Sequence, residues 1–124
     1  MSSRQRVWAS AAHEQISGFK GGDEEAKLRT LCMKTPSLIH QSGLAQALIF
    51  LQSREKEIGK RFVKALAAAY APKGTHLSGE ELVKKALNED SLQGYMVLTS
   101  DISDVAAWMR RFAQIELKKQ DGGQ

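Results

Sequence analysis

Two aspartates and one cysteine are the side chains of this sequence best suited to acid–base or nucleophilic catalysis. Asp101 and Asp104 stand three residues apart, so on a helix they would share one face and could form an acidic pair. A simpler interpretation places both in the first turn of a helix segment, where carboxylates complement the helix dipole. Cys32 falls on one apolar stripe with Leu28 and Leu31, so we expect a buried, unreactive thiol. We therefore predict no catalytic residue, and an enzyme whose site is shared between subunits stays as an alternative.

The three histidines, His13, His40 and His76, fall on separate predicted segments. Only His76 has a second ligand type at helical spacing, Glu80, whereas a metal site needs three or four ligands. The glycine-rich segment 18–22 precedes a helix, as phosphate loops do, but it lacks the preceding strand and the Gly-Lys-Ser/Thr ending. We expect neither a metal nor a cofactor.

The remaining candidates are cations. Lys56, Lys60 and Lys64 recur every four residues and Arg61 lies beside them, which predicts a ridge with members roughly 6 Å apart. That spacing is comparable to the spacing of phosphates along an extended strand. Two nearby glutamates dilute the ridge, so an ordinary solvated face is the alternative.

A second pair of cations, Arg110 and Arg111, lies near the end of the chain, and Lys84 with Lys85 forms a weaker patch. An arginine beside an apolar stripe can stack on an aromatic ring or bind a phosphate. Aromatic residues are not interleaved with these charges, so sequence-specific base contacts are not expected. Any nucleic-acid contact should therefore be to the phosphate backbone, through Lys56, Lys60, Arg61, Lys64, Arg110 and Arg111.

Helices are the elements that must position these residues. The 124 residues include 18 Lys or Arg and 14 Asp or Glu, for a net charge of +4, and 42% are hydrophobic, enough for one domain with a core. Aromatic residues make up 6%, there are two prolines, and no segment alternates as a strand would. A single cysteine suits a reducing cytoplasm, and neither a signal peptide nor a membrane span is evident. We predict an all-α, compact bundle of about six helices in a single domain over residues 1–124, cytoplasmic, with residues 1–2 and 120–124 disordered.

Apolar residues at three- and four-residue steps, together with capping residues, give the expected helix boundaries. Asp23 is the expected N-cap of the second helix and Pro36 its end, with Thr35 capping a new turn. Ser78 and Glu81 form a capping-box pattern. Residues 42–51 read as a central helix packed on most sides, 55–70 as the helix of the basic ridge, and 92–115 as one long helix with a possible bend near 99–101.

Two blocks of the sequence resemble a known family. They are PSLIHQSGLAQALIFL at residues 36–51 and AWMRRFA at 107–113, with Tyr95 between them. Their order and the chain length are similar to those of the small all-helical subunit, the fifth Cmr protein, of the type III-B CRISPR RNA-silencing complex. The resemblance covers nearly the whole chain.

The resemblance implies a non-catalytic role in antiviral defence. Copies of such a subunit would form a filament beside the backbone subunits that carry the guide CRISPR RNA, along the channel that holds the target RNA. Cleavage would belong to the backbone and large subunits. The implied partners are therefore other Cmr subunits, copies of this chain, guide RNA and target RNA.

The residues of the two blocks have a structural interpretation as determinants of the fold. Gly43 would allow another helix to approach closely, and large apolar side chains would fill the core. The expected core residues are Gly43, Leu44, Leu48, Leu51, Phe62, Trp108 and Phe112. The alternative functions are a helical protein-interaction adaptor without nucleic-acid binding and, with less support, a helix-turn-helix DNA reader using Lys84 and Lys85.

Overall fold

The computed structural model describes residues 2–71 and 74–119, and over these ranges the chain forms six α-helices and no strand. The predicted all-α bundle of about six helices is confirmed. Ser2 caps the first helix by accepting a hydrogen bond from the Gln5 N–H at 3.2 Å, whereas the predicted disorder at Met1 and 120–124 lies outside the described residues. The helices are α1 (Ser3–Phe19), α2 (Glu25–Ser42), α3 (Leu44–Arg54), α4 (Lys56–Tyr70), α5 (Gly79–Asn88) and α6 (Leu92–Glu116).

Two helices organise the bundle. The long α6 packs against α1, α2 and α4, and α4 in turn packs against α1, α3 and α5. Buried apolar residues from all six helices join in one core, which makes the described chain a single packed unit. Within that chain, no helix is both long enough and apolar enough to cross a membrane.

Helix α2 runs through Pro36, so the prediction that Pro36 ends it is wrong. Proline removes one backbone donor and crowds the preceding turn. Just before it, the buried Thr35 hydroxyl donates to the Leu31 carbonyl at 2.6 Å, inside the helix rather than as a cap. Thr35 and Ile39, on either side of the proline, are both buried in the core, and the helix continues to Ser42.

The start of α2 also differs from expectation. Glu24, not Asp23, occupies the N-cap position, and its side chain makes no capping hydrogen bond. The carboxylate of Glu25 instead accepts from the backbone N–H groups of Gly21 and Lys118, each at 2.8 Å. These two hydrogen bonds, led by the one from Lys118, lower the pKa of Glu25 and tie the α1–α2 turn to the residues after α6.

Polar caps define α5 and α6. The capping box is confirmed: the Ser78 hydroxyl accepts from the Glu81 N–H at 3.1 Å, and the Glu81 carboxylate accepts from the Ser78 N–H at 2.8 Å. Helix α6 is continuous through residues 99–101. Asp101 and Asp104 therefore lie in the middle of a 25-residue helix, so the prediction that they stabilise its first turn is wrong.

Two glycines shape the ends of α3 and the corner into α4. Gly43 has φ +85° and ψ 158°, a conformation that essentially only glycine adopts, so its backbone freedom rather than close helix approach explains the residue. A Cβ on Gly59 would lie 1.8 Å from the Leu51 carbonyl oxygen, so α4 crosses the end of α3 in direct backbone contact. Between them Lys56 begins α4 at φ +57°.

Four of the expected core residues, Leu44, Leu48, Leu51 and Phe62, are fully buried. Trp108 and Phe112 are only partly buried and pack on the edge of the core, while the buried tryptophan is Trp8 of α1. Trp108 lies where α6 meets α1, and its indole N–H donates to the Gln5 side chain at 2.7 Å. Likewise α3 is less enclosed than predicted, since Ile49 and Phe50 are exposed.

Candidate nucleic-acid interface

Lys60 and Lys64 lie one turn apart on α4 and line the same cleft, which we call the α4–α5 cleft. Its volume is about 410 Å³, and its other lining residues include Gln52 of α3, His76, Ser78 and the acidic Glu80 of α5. Both lysine side chains are exposed. Two cations, an imidazole and an amide supply donors for a phosphate group, against the single carboxylate of Glu80 in the same opening.

Arg61 is held differently from the two lysines. Its guanidinium lies 5.3 Å from the Phe19 ring centroid and donates to the Gly18 carbonyl at 3.5 Å. With Lys64 it lines a second opening of about 300 Å³ between α1 and α4, the α1–α4 cleft, which also contains the acidic Glu14. Lys64 belongs to both clefts and so joins them.

Lys56 stands apart from these three cations. It is exposed at the first position of α4 and lines neither the α4–α5 cleft nor the α1–α4 cleft. Lys60 forms an ion pair with Glu57 at 3.7 Å, and both side chains are largely exposed. An exposed pair of this kind is worth little, so Lys60 keeps most of its charge available.

Arg110 and Arg111 lie on α6 and line neither of the two clefts. Arg111 is exposed, with its guanidinium 5.5 Å from the Trp108 ring centroid, while the Trp108 indole donates to the Gln5 side chain at 2.7 Å. Arg110 is half-buried. The structure thus brings together Lys60, Arg61 and Lys64 of the six predicted cations and leaves the two arginines of α6 elsewhere.

Comparison with known proteins decides the family. The family model for the CRISPR-associated protein Cas_Cmr5 matches residues 4–116. The chain belongs to the Cmr5 family. The resemblance seen in residues 36–51 and 107–113 is thereby confirmed and extends over most of the chain.

Two relatives of this Cmr5-family chain agree with the assignment. The CRISPR system Cmr subunit Cmr5 of Thermus thermophilus is 35% identical over 114 residues, covering 92% of this chain and 96% of that protein. The X-ray crystal structure of a CRISPR-associated Cmr5 family protein from the same organism superposes with a TM-score of 0.86 at 32% identity, covering 94% of this chain and 100% of the other.

The residues considered for catalysis are occupied in structural contacts or lie apart in this Cmr5-family fold. Burial raises the pKa of the Cys32 thiol to about 12. Asp104 accepts a hydrogen bond from the Gln5 side chain at 2.9 Å, and His13 pairs with Glu116. Over residues 2–71 and 74–119, no three His, Cys, Asp or Glu side chains come together in a way that could hold a metal ion.

Sequence reasoning missed the residues that complete the clefts. Gln52 and His76 join Lys60 and Lys64 through the packing of α3 and α5 on α4, a contact that no local pattern encodes. Arg6 of α1 likewise lines an opening beside α4. The one available signal was the capping box at Ser78, which fixes where α5 begins and hence which residues face α4.

Proposed function

We propose that this Cmr5-family chain is a non-catalytic small subunit of a type III-B Cmr CRISPR effector complex in the cytoplasm. In that complex it stabilises guide and target RNA through backbone contacts. The family assignment supports the setting, since the Thermus relative is a Cmr subunit. The observation that carries the RNA contact is the pair of exposed lysines, Lys60 and Lys64, lining one cleft.

The spacing of this pair suits a phosphate backbone. Four residues of helix separate the two lysines by about 6 Å along the axis. Lys64 also borders the α1–α4 cleft, where Arg61 adds a third cation that is already oriented by the Phe19 ring. A strand passing over α4 would therefore meet three cations in succession, and contacts of this kind need no particular base sequence.

Contacts with neighbouring subunits are the second part of the proposal. Large apolar side chains are exposed on the first half of α6, where Leu92 is 75%, Met96 61% and Val97 52% exposed. Exposed apolar clusters mark protein contact sites more often than scattered single residues do. We assign this face to the packing of successive copies and of other Cmr subunits in a filament.

The test of the RNA contact is charge reversal in the assembled complex. Lys60→Glu with Lys64→Glu removes two cations from the α4–α5 cleft without touching Arg61, whose stacking on Phe19 stabilises the fold. Each single-strand phosphate contact contributes about 0.7 to the log–log salt slope, so target-RNA binding should weaken and its slope should flatten by about 1.4. Lys84→Glu with Lys85→Glu is the matched control, because it makes the same charge change on α5 at exposed residues that line neither cleft.

The alternative function is a protein-interaction adaptor without nucleic-acid contact, which the exposed face of α6 also favours. Under that alternative both double variants leave RNA affinity and the salt slope unchanged. Capture of partners after nuclease treatment separates the two functions further. An RNA-stabilising subunit loses part of its partner set when RNA is digested, whereas an adaptor keeps all of it.

A further inference from the structure

A third opening, of about 450 Å³, lies where the start of α1 meets the end of α4 and the middle of α6. We call it the aromatic cleft; it is lined by Arg4, Val7, Trp8, Tyr70 and Asp101, among others. The rings of Trp8 and Tyr70 stack at 6.5 Å between centroids, and the Trp8 indole N–H donates to the Tyr70 carbonyl at 3.3 Å. Trp8 itself is buried, so the accessible aromatic surface is that of the half-buried Tyr70. Its volume is in the range that small-molecule sites occupy, and Val7, Tyr70 and Ala71 give it an apolar part.

Charged groups without ion-pair partners also line this cleft. The Arg4 guanidinium lies 5.1 Å from the Trp8 ring centroid, and within the described chain neither it nor the Asp101 carboxylate forms an ion pair. Burial and then the nearby charge of Asp101 raise the pKa of Tyr70, so its hydroxyl remains a donor. The cleft thus offers a planar cation, a carboxylate and a hydroxyl beside the half-buried Tyr70 ring.

This combination matches one nucleobase better than the others. Guanine presents two adjacent acceptors, O6 and N7, which suit an arginine fork, and two adjacent N–H donors, N1–H and N2–H, which suit a carboxylate. Adenine and cytosine place a ring-nitrogen lone pair, and uracil places a carbonyl oxygen, beside the N–H group that would face that carboxylate. We propose that the aromatic cleft binds an unstacked guanine base of single-stranded RNA.

The positions of the openings explain how a strand would deliver that base. The aromatic cleft shares Val7 and Ala71 with a neighbouring opening, and that opening shares Glu14 and Ala68 with the α1–α4 cleft. Through Lys64 the path continues into the α4–α5 cleft. Within the described chain, five cations and three carboxylates line the four openings of this path together, so positive charge prevails. The α1 portion alone spans about 22 Å. The guanine site rests on the proposed RNA contact only for this delivery.

The experiment titrates the full-length chain with mononucleotides and follows backbone amide and indole N–H resonances by NMR. Guanosine 5′-monophosphate should shift the signals of Trp8 and of the residues around Asp101, with binding at least about fivefold tighter than adenosine, cytidine or uridine monophosphate. Asp101→Asn should remove that preference. Asp104→Asn is the matched control, one turn further along α6, because its carboxylate bonds Gln5 and does not line the cleft.

Ribose 5-phosphate separates the base from the phosphate as the source of binding. The proposal expects it to shift signals near Lys60 and Lys64 and to leave Trp8 unchanged. Equal effects of all four nucleotides at Trp8, unchanged guanine preference in Asp101→Asn, or no shift at Trp8 up to about 10 mM nucleotide would each overturn the guanine site. None of these results would decide the RNA contact, which the charge reversal at Lys60 and Lys64 tests separately. Retained amide dispersion in Asp101→Asn verifies folding, and Arg4→Gln provides a second variant that should also lose the preference.

Discussion

The corner between α3 and α4 gives the sharpest stability prediction. A Cβ on Gly59 would sit 1.8 Å from the Leu51 carbonyl oxygen and 2.8 Å from the Glu55 Cβ. Ordinary contact between such atoms needs about 3.5 Å, so Gly59→Ala must open the corner by more than about 1.5 Å. The obstruction is backbone and cannot rotate away.

The expected magnitude follows from two opposing effects. Overpacking of this kind costs up to about 3 kcal/mol, and replacing a helical glycine by alanine returns about 0.5 to 1 kcal/mol. We therefore expect Gly59→Ala to lower the free energy of unfolding by about 2 kcal/mol. In urea, with an m value of about 1.5 kcal/mol/M, the midpoint followed by circular dichroism at 222 nm should fall by about 1.3 M.

Gly18→Ala is the matched control, since Gly18 also lies in a helix and has open space around its would-be Cβ. The same substitution there should raise the stability by about 0.5 to 1 kcal/mol. The two substitutions should therefore change the free energy of unfolding in opposite directions. A Gly59→Ala protein as stable as the wild type, or more stable, would refute the close backbone contact at this corner.

Three further predictions follow from the core and its polar contacts. Trp8→Ala should lower the free energy of unfolding by about 3 to 5 kcal/mol and Trp108→Ala by clearly less, because Trp8 is 5% exposed whereas Trp108 is only partly buried. Equal decreases measured by urea unfolding would contradict this burial pattern. The pKa of Glu25 is lower in the folded than in the unfolded state. The ionised carboxylate therefore stabilises the fold at pH values above its unfolded pKa, and this stabilisation is lost as the pH falls through the folded pKa. Glu25→Gln should therefore lower Tm at pH 7, with a gap to the wild type that closes in acid, and a gap independent of pH would refute the carboxylate's role. Cys32 should resist a thiol reagent at pH 8 until the protein unfolds, because burial raises its pKa to about 12; fast labelling of the native chain would be the contrary result.

Local patterns predicted much of this fold. The capping box at Ser78 and Glu81 and the length of α6 depend on neighbouring residues, and both agree with the structure. Pro36 was misjudged because burial of the neighbouring Thr35 and Ile39 in the core outweighs the local effect of the proline. The sequence also could not tell which tryptophan is enclosed, since that depends on where α1 lies against α6.

The candidate site was predictable only in part, for the same reason. The four-residue spacing places Lys60 and Lys64 on one face of a helix, and that much is visible in the sequence. Whether Arg110 and Arg111 join them depends on how α6 is rotated in the bundle. The partners that complete the clefts, Gln52 and His76, come from helices and loops that meet α4 only in the folded chain.

Photo-crosslinking in the assembled Cmr complex tests the central claim most directly. With Lys64→p-benzoylphenylalanine and labelled target RNA, the RNA contact at α4 predicts a crosslink between this subunit and the RNA. The same replacement at Lys27, exposed on α2 and lining neither the α4–α5 cleft nor the α1–α4 cleft, should give little or none. An absent crosslink at position 64, or equal yields at positions 64 and 27, would contradict the RNA contact.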